Sequence, residues 1–508
     1  MNLSQKVAFN TVLLLLSRLV VAGSGLVGVV VSTRYLGPDG FGKLTVGIVF
    51  VSVFGFFTDA GLFTVAAREM AKHPEDEQRI LSNVFSMALV ITAATLLLAL
   101  ASMFLAYGGA ARELVRIGIA ILAVQMLASP VGGAASAYLV AHQRVVPAAF
   151  AGVLSSAVYV GALFVVIGGD FGFAGIAACS AVSGLIALLV PFGVLRLRLR
   201  LTRDPALWRQ MLSWALPQAG VLVLGILYFR VDTFLLSFLS TDSEVGLYGV
   251  AYRVLEVLIV LPTYFMSTLF PELARQRLHS DSLDELVQGA FSSMALVAVP
   301  LVIIFATSPV EVISVAGGPR YADAAPVLAV LAVAVALVFL NTVFVQSLIA
   351  LTRQRNLFVV LLLVLAGNVL LNVLLIPALG AMGAAIALVA TEGAALALVM
   401  RAFARVGKVP RFRYPVRFTG SALITGIVVL ALREVFPLAQ TGQDLGASFT
   451  AALVPLGALI GMSVVTVGVW AGSLTLLGAV PPEVQAAIGA LRHRAPTEPG
   501  PALPTVAE

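Results

Sequence analysis

The sequence predicts an all-α membrane protein of about 14 transmembrane helices, arranged as two parallel six-helix lobes plus two extra C-terminal helices. Three observations predict it. Hydrophobic residues make up 60% of the 508 and charged residues only 11%, against about a quarter charged in soluble domains. Apolar runs recur along almost the whole chain, each reaching the roughly 20 residues that cross a hydrocarbon core. Those runs are too long, and too little alternating, for the strands of a barrel. In lipid the backbone must satisfy itself, so the spans are helices.

Taken in order, the runs give spans at Thr11–Val31, Leu44–Ala66, Leu81–Leu105, Ile117–Val140, Val146–Ile167, Phe173–Val194, Leu212–Leu239 and Val245–Phe270. They continue at Ala290–Thr307, Ala325–Ala350, Leu357–Leu375, Ala381–Val399, Phe418–Leu432 and Phe449–Leu477. The first run passes Gly25 and reaches Val31 without a polar cleavage region, so it reads as an uncleaved span. Pro130, Pro217 and Pro262 fall inside spans, where each frees a carbonyl and permits a bend.

Fourteen spans put both chain ends on one side. Of 31 Lys and Arg, 22 then lie on the side of the termini, six on the other, and three inside spans. By the positive-inside rule the termini are cytoplasmic. The pI near 9.6 thus reflects orientation rather than nucleic-acid binding. Residues 196–210 form a basic cytoplasmic linker, and 479–508 a proline-rich cytoplasmic tail, largely disordered.

The chain also resembles itself at a spacing of a little over two hundred residues. Leu36-Gly37-Pro38-Asp39-Gly40-Phe41-Gly42 stands before the second span as Ser240-Thr241-Asp242-Ser243-Glu244-Val245-Gly246 stands before the eighth. Arg68-Glu69-Met70-Ala71-Lys72 matches Pro271-Glu272-Leu273-Ala274-Arg275, and His142-Gln143-Arg144 matches Arg353-Gln354-Arg355. Gly172-Phe173-Ala174-Gly175 matches Gly380-Ala381-Met382-Gly383. Six spans per unit keep both units in one orientation, which makes them parallel repeats. The predicted lobes are residues 1–195 and 211–405, and residues 406–478 form an appendage of two helices.

Local motifs then become recognisable. Arg34-Tyr35-Leu36-Gly37-Pro38-Asp39-Gly40-Phe41-Gly42 resembles the signature between the first two helices of bacterial polysaccharide-biosynthesis flippases. Asp59-Ala60-Gly61-Leu62 with Arg68-Glu69, Gly246-Leu247-Tyr248 with Ala251-Tyr252-Arg253, and Asn368, Asn372, Pro377 and Glu392 are similar to later blocks of the same family. The resemblance covers roughly residues 1 to 405. It implies the oligosaccharide-flippase branch of the multidrug/oligosaccharidyl-lipid/polysaccharide (MOP) exporter superfamily. It further implies a V-shaped pair of lobes that moves an undecaprenyl-diphosphate-linked oligosaccharide to the outer leaflet of the cell membrane. Partners on that basis are the lipid-linked glycan, the bilayer and membrane proteins of glycan assembly, with no nucleic acid.

Ionised side chains inside a membrane mark functional candidates. Arg18, Arg230 and Arg253 are candidates to line the cleft and hold diphosphate and acidic sugars, since guanidinium is planar, permanently charged and bidentate. The competing role is neutralisation of nearby carboxylates. Arg18 and Asp59 lie at similar depth and are expected to pair. Arg253 and Glu256 share a helix face three residues apart, whereas Arg230 and Asp232, two apart, do not. An interlobe or intralobe quartet is expected from these four. Asp59 and Glu392, the latter near Asn368 and Asn372, are candidates for coupling to an H⁺ or Na⁺ gradient or to the membrane potential, or for a purely structural role. Gly23, Gly25 and Gly28 read as helix-packing positions.

No cofactor, metal or catalytic site is expected. Cys179 is the single cysteine, and no His/Cys/Asp cluster or glycine-rich phosphate loop has the needed spacing. The alternatives within transporters are a multidrug or cation antiporter of the same superfamily and a flippase for the peptidoglycan lipid precursor.

Overall fold

The computed structural model describes residues 3–435 and 453–485, apart from positions 60, 110–111, 145, 196, 277, 279 and 412–413. The start of the fourteenth span, most of the predicted tail, the Pro217 side chain and the basic residues Arg277, Arg413, Arg492 and Arg494 fall outside what is described. Every regular element among the described residues is helical.

Helix α1 (Leu3–Asp59) carries the first two spans as one 57-residue element turned at Gly37, whose φ of 67° and ψ of 179° lie outside helical space. Only glycine reaches that φ without strain, and Pro38 follows with no N–H to leave unpaired. Then come α2 (Leu62–Lys72), α3 (Glu77–Ala106), α4 (Glu113–Ala123), α5 (Ser129–Ala141), α6 (Val146–Gly168) and α7 (Gly172–Leu195). A 3₁₀ segment, Val124–Ala128, separates α4 from α5. Pro130 therefore stands in the first turn of a new helix, where a missing N–H costs nothing, and not within a bent continuous span as expected. The second lobe holds α8 (Pro205–Leu239), α9 (Asp242–Arg275), α10 (Asp281–Thr307), α11 (Pro309–Ala316), α12 (Ala324–Ala350) and α13 (Gln354–Phe403). Pro262 lies inside α9. Helix α13 again joins two spans, turned at Gly380 (φ 56°).

Among the described residues eleven helices are long and apolar enough to cross a membrane. Two of them are double, and the 35-residue α8 supplies the seventh span, so all fourteen predicted spans have a helical counterpart. The extra helices α14 (Pro415–Val435) and α15 (Leu453–Leu476) pack beside α10 and α11. Trp470 Nε1 donates to Leu296 O (3.1 Å), and Arg433 pairs with Glu311 (2.8 Å).

The internal repeat is visible in side-chain detail. Gln78 Nε2 donates to Ser82 Oγ (2.9 Å) and to Arg198 O (2.6 Å). Gln288 Nε2 donates to Ser292 Oγ (3.1 Å) and Arg411 O (3.0 Å). The segment leaving each lobe is thus strapped to that lobe's third span by the same device. The first strap ends at Asp204, which caps α8 by accepting Leu207 N (3.1 Å). Arg79 lies 2.6 Å from it, and that guanidinium holds the Asp204 carboxyl below the usual carboxylate range. Gly172 and Gly380 both have positive φ. Beside each turn a side chain from earlier in the same lobe accepts a backbone N–H: Tyr35 Oη from Gly172 (2.9 Å) and Glu244 Oε2 from Ala381 (2.7 Å).

At the Gly37 end the lobes touch through a matched crossing. A Cβ at Gly42 would sit 1.7 Å from Asp242 O, and one at Gly246 would sit 2.1 Å from Pro38 O. Each glycine meets the residue four positions before its counterpart, as a two-fold relation between parallel repeats requires. Arg112 pairs with Asp242, Thr33 Oγ1 donates to Ala316 O (3.0 Å) and Arg34 Nη2 to Ser314 O (3.0 Å). The first matched pair of the internal repeat, residues 36–42 and 240–246, forms the two sides of this closure.

Candidate functional site

Inside the helical body the lobes differ in chemistry. In the second lobe, α8 and α9 bring Arg230 and Arg253 onto one carboxylate. Glu256 takes Arg230 Nη1 at 2.9 Å and Arg253 Nη1 at 2.6 Å. Two guanidiniums against one carboxylate leave a local excess of positive charge, with Arg253 the more exposed of the two.

Asp232 turns away from this trio and is buried, accepting Asn372 Nδ2 at 2.7 Å and Tyr248 Oη at 3.1 Å. The expected quartet is therefore a trio and a separate carboxylate, because residues two apart on α8 leave the helix on different sides. Glu392, also buried, accepts Tyr228 Oη (2.6 Å) and Asn341 Nδ2 (2.6 Å). Asn368 donates to Thr391 Oγ1 (3.2 Å) and Asn372 serves Asp232, so the asparagine pair partners Asp232 and not Glu392. No ion pair of Asp232 or Glu392 occurs among the described residues.

Arg18 and Asp59 do not pair. Arg18 reaches across to the second lobe, where it donates to Tyr264 Oη and lies 5.4 Å from that ring's centroid, within cation–π range. Asp59 ends α1 before the left-handed Gly61 (φ 75°) and accepts Phe63 N (3.4 Å) at the start of α2. The Asp-x-Gly break explains it: a carboxylate before a helix start is drawn to free N–H groups.

The first lobe contributes a cavity of ≈ 590 Å³ between α1, α5, α6 and α7, lined mainly by serine, threonine, glycine and aliphatic residues, with Arg253 reaching in from α9. A smaller cavity holds Arg230, Arg253 and Glu256 and shares Ile48, Tyr159 and Arg253 with it. Cβ atoms at Gly23 and Gly25 would meet nothing within 4 Å, whereas one at Gly28 would strike the Tyr159 ring at 2.3 Å. Of the three glycines only Gly28 is a packing position. Gly25 lines the cavity instead.

Nothing in the sequence reading pointed to this cavity, since isolated serines in apolar helices look like ordinary back-bonded residues. The one available signal was their recurrence at Ser52, Ser129, Ser155, Ser156, Ser180 and Ser183. Among the described residues no group of three or more His, Cys, Asp and Glu could hold a metal ion.

A span of the chain containing both the matched crossing and the charged trio, residues 7–277, matches the family described as "Polysaccharide biosynthesis protein". The chain belongs to that family. Its many long apolar helices make it a multi-pass membrane protein. Arg18, Asp59, Arg230, Asp232, Arg253 and Glu256 fall in the matched part, and Asn368, Asn372 and Glu392 beyond it.

Two curated relatives come from Haloferax volcanii. The chain is 28% identical over 307 residues to "Probable flippase AglR", covering 58% of this chain and 61% of that one. It is 24% identical over 165 residues to "Probable low-salt glycan biosynthesis flippase Agl15", covering 32% of this chain and 35% of that one. The matches thus span less than two thirds of either relative's length. In fold it is similar to the lipid II flippase MurJ in an inward closed conformation, with a TM-score of 0.72 at 13% identity over 92% of this chain and 100% of that one. It is also similar to an inward-facing multidrug resistance MATE transporter, with a TM-score of 0.59 at 15% identity over 75% of this chain and 94% of that one. These relatives are named as flippases and transporters, not as enzymes.

Proposed function

We propose that this protein is a flippase that carries an undecaprenyl-diphosphate-linked oligosaccharide from the inner to the outer leaflet of a bacterial or archaeal cell membrane by alternating access. Both chain ends are cytoplasmic in this reading, and membrane proteins of glycan assembly are its neighbours. One observation carries it: a roomy hydroxyl-lined cavity meets a doubly basic trio between two lobes that close on each other at the Gly37 end. That closure faces outward, so substrate enters from the side of the basic linker.

Arg253 and Arg18 are then the diphosphate contacts. A guanidinium offers two parallel N–H donors to a phosphate edge, and Glu256 keeps Arg253 aimed when no substrate is present. Arg230, held by the same carboxylate, positions Glu256. Reconstituted into liposomes, the protein is expected to flip a fluorescent polyprenyl-diphosphate glycan. Arg253→Gln is expected to lower substrate affinity about tenfold, or ~1.4 kcal/mol. Wild-type transport by the Arg18→Gln/Arg253→Gln double variant at normal expression would remove this assignment.

Coupling falls to the buried carboxylates of the second lobe. Asp232 and Glu392 lie among neutral donors, and beside them Asn372 Oδ1 and Asn341 Oδ1 are buried acceptors without a hydrogen-bond partner among the described residues. Orphaned acceptors beside unpaired carboxylates are what a proton or Na⁺ would satisfy. Asp59, capping α2, is left with a structural role. Flipping is expected to follow an imposed pH or sodium gradient, and Asp232→Asn or Glu392→Gln to abolish that dependence. Flipping indifferent to both gradients in the wild type would dispose of this role.

A second reading, a flippase for the peptidoglycan lipid precursor, is favoured by the two helices beyond the repeat. Deleting the gene separates the readings: loss of a surface glycan supports the first, and loss of viability the second.

A further inference from the structure

The first-lobe cavity has a donor–acceptor pattern that narrows what it accepts. Ser24 Oγ donates to Val21 O (2.8 Å), Ser52 Oγ to Val49 O (2.8 Å) and Thr58 Oγ1 to Gly55 O (2.6 Å). Ser183 Oγ donates to Ser155 O (3.2 Å), and the hydroxyls of Ser155 and Ser183 lie 3.0 Å apart. A hydroxyl has one hydrogen and two acceptor lone pairs. With the hydrogens of Ser24, Ser52, Thr58 and Ser183 committed to carbonyls of the lobe's own helices, these hydroxyls present lone pairs, and the neutral amide of Gln125 and hydroxyl of Tyr159 complete the polar lining. Among the described residues no first-lobe residue lining the cavity is charged, and Arg253, from the other lobe, is the one charged group in its lining.

Such a wall repels an anion and receives N–H and O–H donors. A phosphate or carboxylate seated deep in it would lose water and face acceptors, which is costly without compensating donors. A neutral sugar brings several hydroxyl donors, and an acetamido group adds an N–H. The volume, ≈ 590 Å³, lies within the roughly 300–1,000 Å³ of small-ligand sites.

We propose that the first-lobe cavity is the seat of an uncharged sugar, the residue joined directly to the lipid diphosphate, with the diphosphate at the Arg253 mouth. This rests on the flippase reading and goes beyond it by naming the class of the first sugar and the direction in which the headgroup lies. Acidic sugars, which the basic side chains alone would suggest, are excluded from this seat and belong further along the glycan.

The test is binding to the purified full chain in nanodiscs of three water-soluble probes: farnesyl diphosphate, farnesyl-diphosphate-linked N-acetylglucosamine and farnesyl-diphosphate-linked glucuronic acid. The amino-sugar probe is expected to bind at least tenfold more tightly than either of the others. Ser24→Ala/Ser52→Ala is expected to narrow the gap between sugar-bearing and sugar-free probes to less than threefold. Ser155→Ala, on a different helix, gives an independent variant with the same expected narrowing. Equal binding of all three probes to the wild type overturns the sugar seat while leaving the flippase reading intact. Failure of all three probes to bind takes both down.

Discussion

The two lobes are copies in scaffold and opposites in content. Each has a third span strapped by a glutamine to the segment that leaves the lobe, a left-handed glycine before its sixth span, and a glycine that meets the other lobe's backbone at the crossing. Inside, the first lobe is lined with neutral hydroxyls, whereas the second holds two buried carboxylates and an Arg–Glu–Arg trio. What a repeat must preserve is the set of positions where backbones approach, because only glycine fits there. The interior is released from that constraint, so one lobe can specialise in receiving a polar headgroup and the other in holding charge.

The largest expected effect comes from breaking the shared part. Gly246→Leu sets side-chain atoms where Pro38 O lies only 2.1 Å from the position of a Cβ, closer than any real Cβ contact, so the lobes must separate at that end. Flipping in liposomes is expected to fall more than a hundredfold. Thr33, fully buried in the closed crossing, becomes reactive to a membrane-impermeant thiol reagent as Thr33→Cys in the same background. Unimpaired flipping by Gly246→Leu would mean that the crossing is not a gate.

The two blocks that form the crossing, though not their contact, were legible in advance because they are written in local punctuation. The Leu-Gly-Pro-Asp-Gly-Phe-Gly block and its counterpart before the eighth span stand out from apolar surroundings, as do the glycines of the sixth and twelfth spans. The spans themselves were legible from apolar length alone. The site was legible only where partners share a helix, as Arg253 and Glu256 do at a three-residue spacing. Arg230 on Glu256, Asn372 on Asp232 and Tyr228 on Glu392 join different helices, and no periodicity within one helix encodes how two helices are rotated against each other. The Arg18–Asp59 pairing failed for the same reason: equal depth says nothing about azimuth, and the Gly61 break turned Asp59 toward α2. The paired strap glutamines escaped notice although both stand in a Gln-x-x-x-Ser spacing ahead of a Ser-Met-Ala-Leu-Val run, because so short a match gives no role until the carbonyls they reach are seen.

The difference between the interiors predicts a difference in what neutral substitutions cost. Glu256→Gln removes the carboxylate that holds two guanidiniums, leaving like charges facing each other. Breaking a fully buried pair costs roughly 3–5 kcal/mol. Here the three side chains are 22–39% exposed, so a loss of about 1–3 kcal/mol is expected, with a lowered midpoint in thermal unfolding. Ser52→Ala in the first lobe removes a bond made only within its own helix and is expected to cost under about 0.5 kcal/mol. Equal destabilisation by the two would erase the proposed division between a charge-holding lobe and a neutral one.

The smallest effects test whether the straps are true equivalents. Gln78 donates to Ser82 and to the Arg198 carbonyl. Gln288 makes the corresponding two bonds and in addition accepts Arg411 N at 3.0 Å, so one glutamine amide satisfies both the N–H and the carbonyl of a single linker residue. A net intramolecular hydrogen bond contributes about 0.5–1.5 kcal/mol, toward the lower end where water competes. Gln78→Ala is therefore expected to cost ~0.5–1 kcal/mol and Gln288→Ala ~1–1.5 kcal/mol, read as midpoint shifts in the same buffer and detergent. The order matters more than the size. If Gln78→Ala proved the more damaging, the basic first strap, with Asp204 on Arg79 and two leucines packed on α2 and α3, would be a load-carrying hinge between lobes and not the counterpart of the second.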